Sequence, residues 1–263
     1  MRKTEIELDP DHYYEQWAAA ANFSREQFIQ LWDDARARYG SKEYHNFAHA
    51  VSTFRRTMEL ADRFETEGHV VNRRVLIGAT LFHDANYDEE DFATIGFDSK
   101  EAHSAAVFAR SAEAYGYTAA EIKEVTHTIY ATKLGEQPST IEDVIMVMAD
   151  IGNVGDDFEE VFLPSNQRFR DEKRAEAIAR GEIFSDQKFE DDGIKVLSTY
   201  LHGLLQNPVL DVHDQLQPFT QNMKRWAMLI SKQRDLPLSR YLRNLDNDAV
   251  NRVLVFHVPL QKD

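Results

Sequence analysis

Val70-Val71-Asn72-Arg73-Arg74-Val75-Leu76-Ile77-Gly78-Ala79-Thr80-Leu81-Phe82-His83-Asp84 is the stretch that decides the fold. Apart from Asn72, Arg73 and Arg74 it is apolar on most sides, which predicts a buried central helix from Val70 to Phe82. The run stops on an imidazole and a carboxylate placed side by side. Burying such a pair is costly unless it holds something, and a metal ion is the commonest thing for it to hold.

Helical signals continue on both sides of this stretch. Asp9-Pro10-Asp11 before Tyr13, Tyr14 and Trp17 reads as a helix start with proline in the first turn, running to about Ala21. Ser24 stands three residues before Gln27 in a capping-box pattern, and Phe28, Leu31, Trp32 and Ala35 keep helical spacing as far as Gly40. Asn46 caps a third helix, whose apolar face is Ala50, Phe54, Met58, Ala61 and Phe64. Further on, Ser99 caps a helix that closes at Gly116. Thr118 opens one carrying Ile122, Val125 and Ile129, and Pro138 begins one that runs through the apolar block Val144 to Ala149 and ends at Asp150.

Beyond Gly155 the pattern is weaker. Pro164 and Gly181 read as interruptions, while 185–205 and 213–232 keep helical spacing. The valine-rich tail from Val250 to Leu260 suits an edge strand or a docked extension. With few strand signals elsewhere, the fold class is all-α. We read residues 1–23 as an N-terminal helix, 24–206 as the catalytic domain, and 207–263 as a C-terminal helical extension and apolar tail packed on the same domain.

Composition narrows the chemistry. Over 263 residues, 43% hydrophobic, the chain has enough apolar material for a sizeable core. Its formal charge of −15 is opposite to the basic footprint of a duplex-binding protein, but leaves room for a small anionic substrate at a local metal. Cysteine is absent, so disulfides and thiolate ligands are excluded and any metal must use His, Asp or Glu. Met1 to Pro10 is charged and lacks the apolar core of a signal peptide, and no apolar run approaches the ~20 residues of a membrane helix. A soluble cytoplasmic protein is the expectation, with homo-oligomerisation left open.

Candidate ligands recur at helix ends. His45 and His49 are four residues apart, with His45 just outside the first turn after Asn46 and His49 inside it, so both point to one place. His83 and Asp84 close the central helix, and Asp150 closes another apolar helix that has no other reason to finish on a carboxylate. Imidazoles and carboxylates together make a mixed N/O shell suited to Zn, Mn, Fe, Co, Ni or Mg. Such an ion acidifies water, and hydrolysis is its natural use.

Three motifs carry a family resemblance: Tyr44-His45-Asn46-Phe47-Ala48-His49-Ala50, Phe82-His83-Asp84-Ala85-Asn86-Tyr87-Asp88 and Met148-Ala149-Asp150. They resemble the H…HD…D pattern of the HD-domain superfamily of metal-dependent phosphohydrolases. The Tyr-His-Asn-x-x-His element is similar to that of class I cyclic nucleotide phosphodiesterases and of a group of bacterial HD phosphohydrolases. Glu101 with Ser104-Ala105, Ala131-Thr132-Lys133, Arg170-x-Glu172 and Val196-Leu197 resemble later motifs of the second group, in order. The resemblance spans residues 24 to 206 and implies an HD-domain-like helical bundle with a C-terminal extension.

It further implies His49, His83, Asp84 and Asp150 as metal ligands and His45 as the proton donor to the leaving oxygen, with a structural cap contact as the other reading of His45. Tyr87, Glu101, Lys133 and Arg170 become candidate substrate contacts. The activity implied is cleavage of a phosphomonoester or phosphodiester of a nucleotide or another small phosphorylated compound. Two other readings stand beside it: a di-iron oxygenase, which needs two more histidines from His103 or His127, and a nucleotide- or metal-binding regulatory module without catalysis. Two positions depart from the bacterial group. Lys100 stands where an asparagine is usual, and Leu134-Gly135 where a histidine follows Thr-Lys.

Overall fold

Every residue of the central helix from Val75 to Phe82 is buried, all of them apolar except Gly78 and Thr80, while the helix begins at Arg73 rather than at Val70, which is exposed. The computed structural model describes residues 8–86, 92 and 94–242, and among them every regular element is helical. The chain divides into two compact units, Met1–Asp150 and Ile151–Asp263, so the family-like stretch 24–206 runs through both. Tyr87 and the tail 250–260 lie outside the described residues. No helix among the described residues is long and apolar enough to cross a membrane.

In the first unit α1 (Pro10–Tyr13) starts as predicted, with the Asp9 side chain accepting from the Asp11 amide and proline in the first turn. It does not continue as one α-helix to Ala21. The chain widens into a π-helical turn over Tyr14–Ala18 and stops at Asn22, which is left-handed at φ 62°. Next, α2 (Arg25–Ala37) carries the predicted capping box of Ser24 and Gln27, and α3 (Phe47–Thr66) is capped by the Asn46 side chain on the His49 amide. The central helix is α4 (Arg73–Phe82), capped by Asn72.

Ser99 caps α5 (Lys100–Ser111), and a 3-10 turn over Ala112–Tyr115 leads to Gly116 at φ 80°. A second capping box, Thr118 with Glu121, opens α6 (Ala119–Tyr130). The first unit ends with α7 (Ile141–Asp150). It begins three residues later than Pro138 suggests, because the Thr140 hydroxyl accepts from the Asp143 amide and sets the start.

α4 packs against α3, α5, α6 and α7. Each large apolar side chain it buries contributes roughly 1.5–3 kcal/mol, so this element anchors the unit. Gly78 is the one residue of α4 that a side chain would disrupt. A Cβ there would lie 2.7 Å from the Tyr117 hydroxyl, which donates to the Arg74 carbonyl at 2.9 Å and ties α4 to the start of α6. Beside α4, an aromatic cluster of Tyr13, Trp32, Phe47 and Phe54 locks α1, α2 and α3 together, with Trp32 edge-on to Phe47 at 5.0 Å.

The second unit contains α8 (Leu163–Ala179), α9 (Asp186–Leu205), α10 (His213–Arg234) and the short α11 (Ser239–Leu242). Pro164 lies where a π-helical turn over Phe158–Phe162 passes directly into α8, in the first turn of that helix, so the interruption it makes is a change of helical geometry rather than a break. Gly181 follows the end of α8 at φ 72° and closes it, as a left-handed C-terminal glycine does. The Asn222 amide on α10 donates to the Val154 and Asp156 carbonyls at 2.8 and 2.6 Å, and Trp226 meets Phe162 edge-on at 5.6 Å.

Candidate metal centre

Three helices of the first unit end at one point. His49 projects from the first turn of α3, His83 and Asp84 follow the last residue of α4, and Asp150 is the last residue of α7. One ligand-type atom from each of the four lies within 4.8 Å of all the others. His49 Nε2 is 3.3 Å from His83 Nε2, 3.5 Å from Asp84 Oδ2 and 3.3 Å from Asp150 Oδ1. His83 Nε2 is 3.2 Å from Asp84 Oδ2 and 3.3 Å from Asp150 Oδ1. Donor atoms bonded at roughly 2.0–2.2 Å to one ion and adjacent around it lie about 3–3.4 Å apart, so the five spacings that involve His49 or His83 suit atoms that share an ion.

The turn after α4 holds this arrangement in place. Asn86 takes a left-handed conformation at φ 59°, its amide donates to the Arg38 carbonyl at 3.0 Å, and the Ser104 hydroxyl donates to the Ala85 carbonyl at 2.9 Å. His83 Nδ1 lies 2.7 Å from the Thr80 carbonyl, an acceptor only, so Nδ1 carries a proton and Nε2, turned to the other three groups, is left to bind a second proton or a metal ion. Lone pairs that face one another in a buried site require a cation between them.

The electrostatics have the same sense. Burial pushes the His83 imidazole down, but the Asp84 and Asp150 carboxylates outweigh it and raise it to about 10. For Asp84, burial is outweighed by the Lys100 ammonium and the His83 and His45 imidazoles, which hold it well below the usual carboxylate range. Asp150 is lowered too, against its burial, by His83 and His49. The demand for positive charge is met by a proton or by a metal ion. Four convergent N and O ligands with no sulfur fit a borderline or hard divalent ion.

The other predicted residues fall in different surroundings. His45 is buried, and its ring stands edge-on to His49 at 5.9 Å and to Tyr44 at 4.9 Å, next to the four ligand-type groups. Glu101 is buried in the first turn of α5, 3.8 Å from the Lys100 ammonium. The Lys133 ammonium meets the Tyr130 hydroxyl at 2.8 Å and Asp98 at 3.4 Å. Arg170 lies on α8 in the second unit, where its guanidinium meets Gln167 and Asp186. His103 packs against the Phe92 and Phe97 rings, and His127 bonds to Ser139 and Asp143, so neither joins the group of four.

Two residues outside the predicted set also stand at the site: Lys100, marked in the sequence only as a departure from the family pattern, and Tyr39. Lys100 donates to Asp84 Oδ1 at 2.8 Å. Its position held a signal: as the first residue of α5 it puts a cation where the helix dipole favours an anion, which calls for a strong local partner. Tyr39, just past α2, places its phenol beside Asp84 and Asp150; burial first, then those two charges, keep it well above the ordinary tyrosine range. Nothing in Arg38-Tyr39-Gly40 distinguishes it from a core tyrosine.

Solved structures share this fold. The phosphodiesterase domain of the Salpingoeca rosetta rhodopsin phosphodiesterase superposes with a TM-score of 0.64 at 14% identity, covering 89% of this chain and 91% of that one. A second structure of the phosphodiesterase domain of the same organism's rhodopsin–phosphodiesterase fusion protein gives 0.63 at 14% identity, over 90% and 95% of the two chains. The likeness is one of fold. No protein-family model and no curated protein matches the sequence.

Proposed function

We propose that the protein is a metal-dependent phosphohydrolase that cleaves a phosphomonoester or phosphodiester of a nucleotide or another small phosphorylated compound. The observation that carries this reading is the convergence of His49, His83, Asp84 and Asp150 at buried helix ends in a fold shared with phosphodiesterase domains. These four residues would hold the ion, and the Thr80 carbonyl fixes the tautomer and orientation of His83. A divalent ion bound there supplies Lewis-acid polarisation of a phosphoryl oxygen and brings the acidity of water close to neutral pH.

His45 is the proton donor. It stands beside His49 in a buried setting, and its imidazole gives a proton to the departing alcohol oxygen as the P–O bond breaks. Glu101 orients the attacking water or a substrate hydroxyl from the first turn of α5, and Lys133 neutralises phosphate charge. All of these residues belong to the first unit.

The test is hydrolysis by protein stripped of metal and reloaded with Mn, Mg, Ni or Zn, on bis(p-nitrophenyl) phosphate, p-nitrophenyl phosphate and a panel of linear and cyclic nucleotides. We expect turnover that EDTA removes and His83→Ala abolishes. Fully loaded protein that hydrolyses none of these substrates contradicts the proposal.

A further inference from the structure

The two oxygens of Asp84 face different cations. Oδ2 is turned to the imidazoles of His83 and His49, at 3.2 and 3.5 Å, on the side where the four ligand atoms converge. Oδ1 points the other way and accepts from Lys100 Nζ at 2.8 Å, while the same ammonium lies 3.8 Å from Glu101 Oε1. Lys100 therefore bridges two buried carboxylates, Asp84 and Glu101. A second divalent ion sharing Asp84 would need Oδ1 and a further oxygen such as that of Glu101, and an ammonium is already bound to the first and close to the second.

We propose that Lys100 takes the place of a second metal ion, so that the centre holds one divalent cation per chain. The inference rests on the metal-centre reading above and fixes its stoichiometry. Charge supports it: among the described residues, the carboxylates of Asp84, Asp150 and Glu101 are balanced by one ammonium and one dication. A second dication would leave a buried excess of positive charge and would stand against the ammonium at contact distance, where like charges repel strongly. With a neutral residue at position 100 the balance reverses, since one dication leaves a negative charge behind and Oδ1 is released to a second ion.

The experiment is equilibrium dialysis of the full chain against rising Mn(II), with elemental analysis of ions per chain and electron paramagnetic resonance to detect spin coupling between neighbouring ions. Wild type and Lys100→Arg are expected to saturate at one uncoupled ion. Lys100→Asn and Lys100→Met are expected to take two, with a coupled spectrum. Two ions in the wild type overturn the inference, whether or not any variant folds, and leave the hydrolase reading standing. A folded Lys100→Asn that stays at one ion overturns it as well. No ion in the wild type removes both the inference and the metal centre beneath it, an outcome distinct from the other two.

Discussion

The two ends of α7 each carry an aspartate, and the two do opposite things. Asp143, in the first turn, is fully buried and surrounded by donors. Its Oδ2 accepts from the amides of Ser139 and Thr140 at 2.9 and 3.0 Å and from the Ser139 hydroxyl at 3.2 Å, with His127 Nε2 at 3.1 Å, and its Oδ1 accepts from Thr128 at 3.0 Å. A carboxylate there also meets the positive end of the helix dipole. Asp150, at the other end, sits where the dipole disfavours it and faces His49 and His83 rather than hydroxyls and amides. A buried carboxylate among donors is scaffold, whereas one among lone pairs is a place for a cation.

Substitutions at each end sharpen that contrast. The largest effect belongs to the Asp150 end. His83→Ala and Asp84→Ala are expected to abolish both metal content and hydrolysis, a loss beyond the roughly 10–100-fold in affinity that outer partners of a metal site supply. Elemental analysis and the phosphodiester assay measure it. Next comes His45→Ala, which is expected to keep the metal and lower kcat by about 10²–10⁴-fold, the contribution of a positioned general acid. Steady-state kinetics on metal-quantified protein separate this from ligand loss.

At the other end, Asp143→Ala strands two backbone amides and a buried hydroxyl. It is expected to cost about 2–4 kcal/mol in denaturant unfolding while the protein that remains folded keeps its metal. The smallest effect is that of His127→Ala: the imidazole contacts Asp143 but is half exposed, so its loss is expected to change stability by less than about 1 kcal/mol. Metal loss in Asp143→Ala, or a stability loss in Asp84→Ala as large as that of Asp143→Ala, would erase the distinction between the ends.

Much of this was legible in the chain. The caps at Ser24, Asn46, Ser99 and Thr118 announce their helices because each side chain satisfies amides that the helix itself leaves open. That His49, His83, Asp84 and Asp150 come together follows from the family resemblance, with their places at helix ends in support, and the structure brings the four within 4.8 Å of one another. The π-helical turns at Tyr14–Ala18 and Phe158–Phe162 were not legible, since an extra residue in one turn leaves no mark on a 3.6-residue pattern.

Pro164 marks the interruption but not its form, since a proline fixes where the helical bonding must change without saying whether the chain breaks or widens into a π-turn. Asp143 reads as an ordinary first-turn acid, and Lys100 stands out only as a departure from the family pattern, with no partner assigned to it. Their partners, at Thr128 and Asp84, are far enough along the chain that only the fold brings them together.

The most direct test is anomalous X-ray diffraction at the zinc edge from crystals of the wild-type protein grown with Zn(II). An anomalous peak is expected roughly 2.0–2.2 Å from His49 Nε2, His83 Nε2, Asp84 Oδ2 and Asp150 Oδ1. Zinc bound at other surface sites with no peak among these four atoms would contradict it.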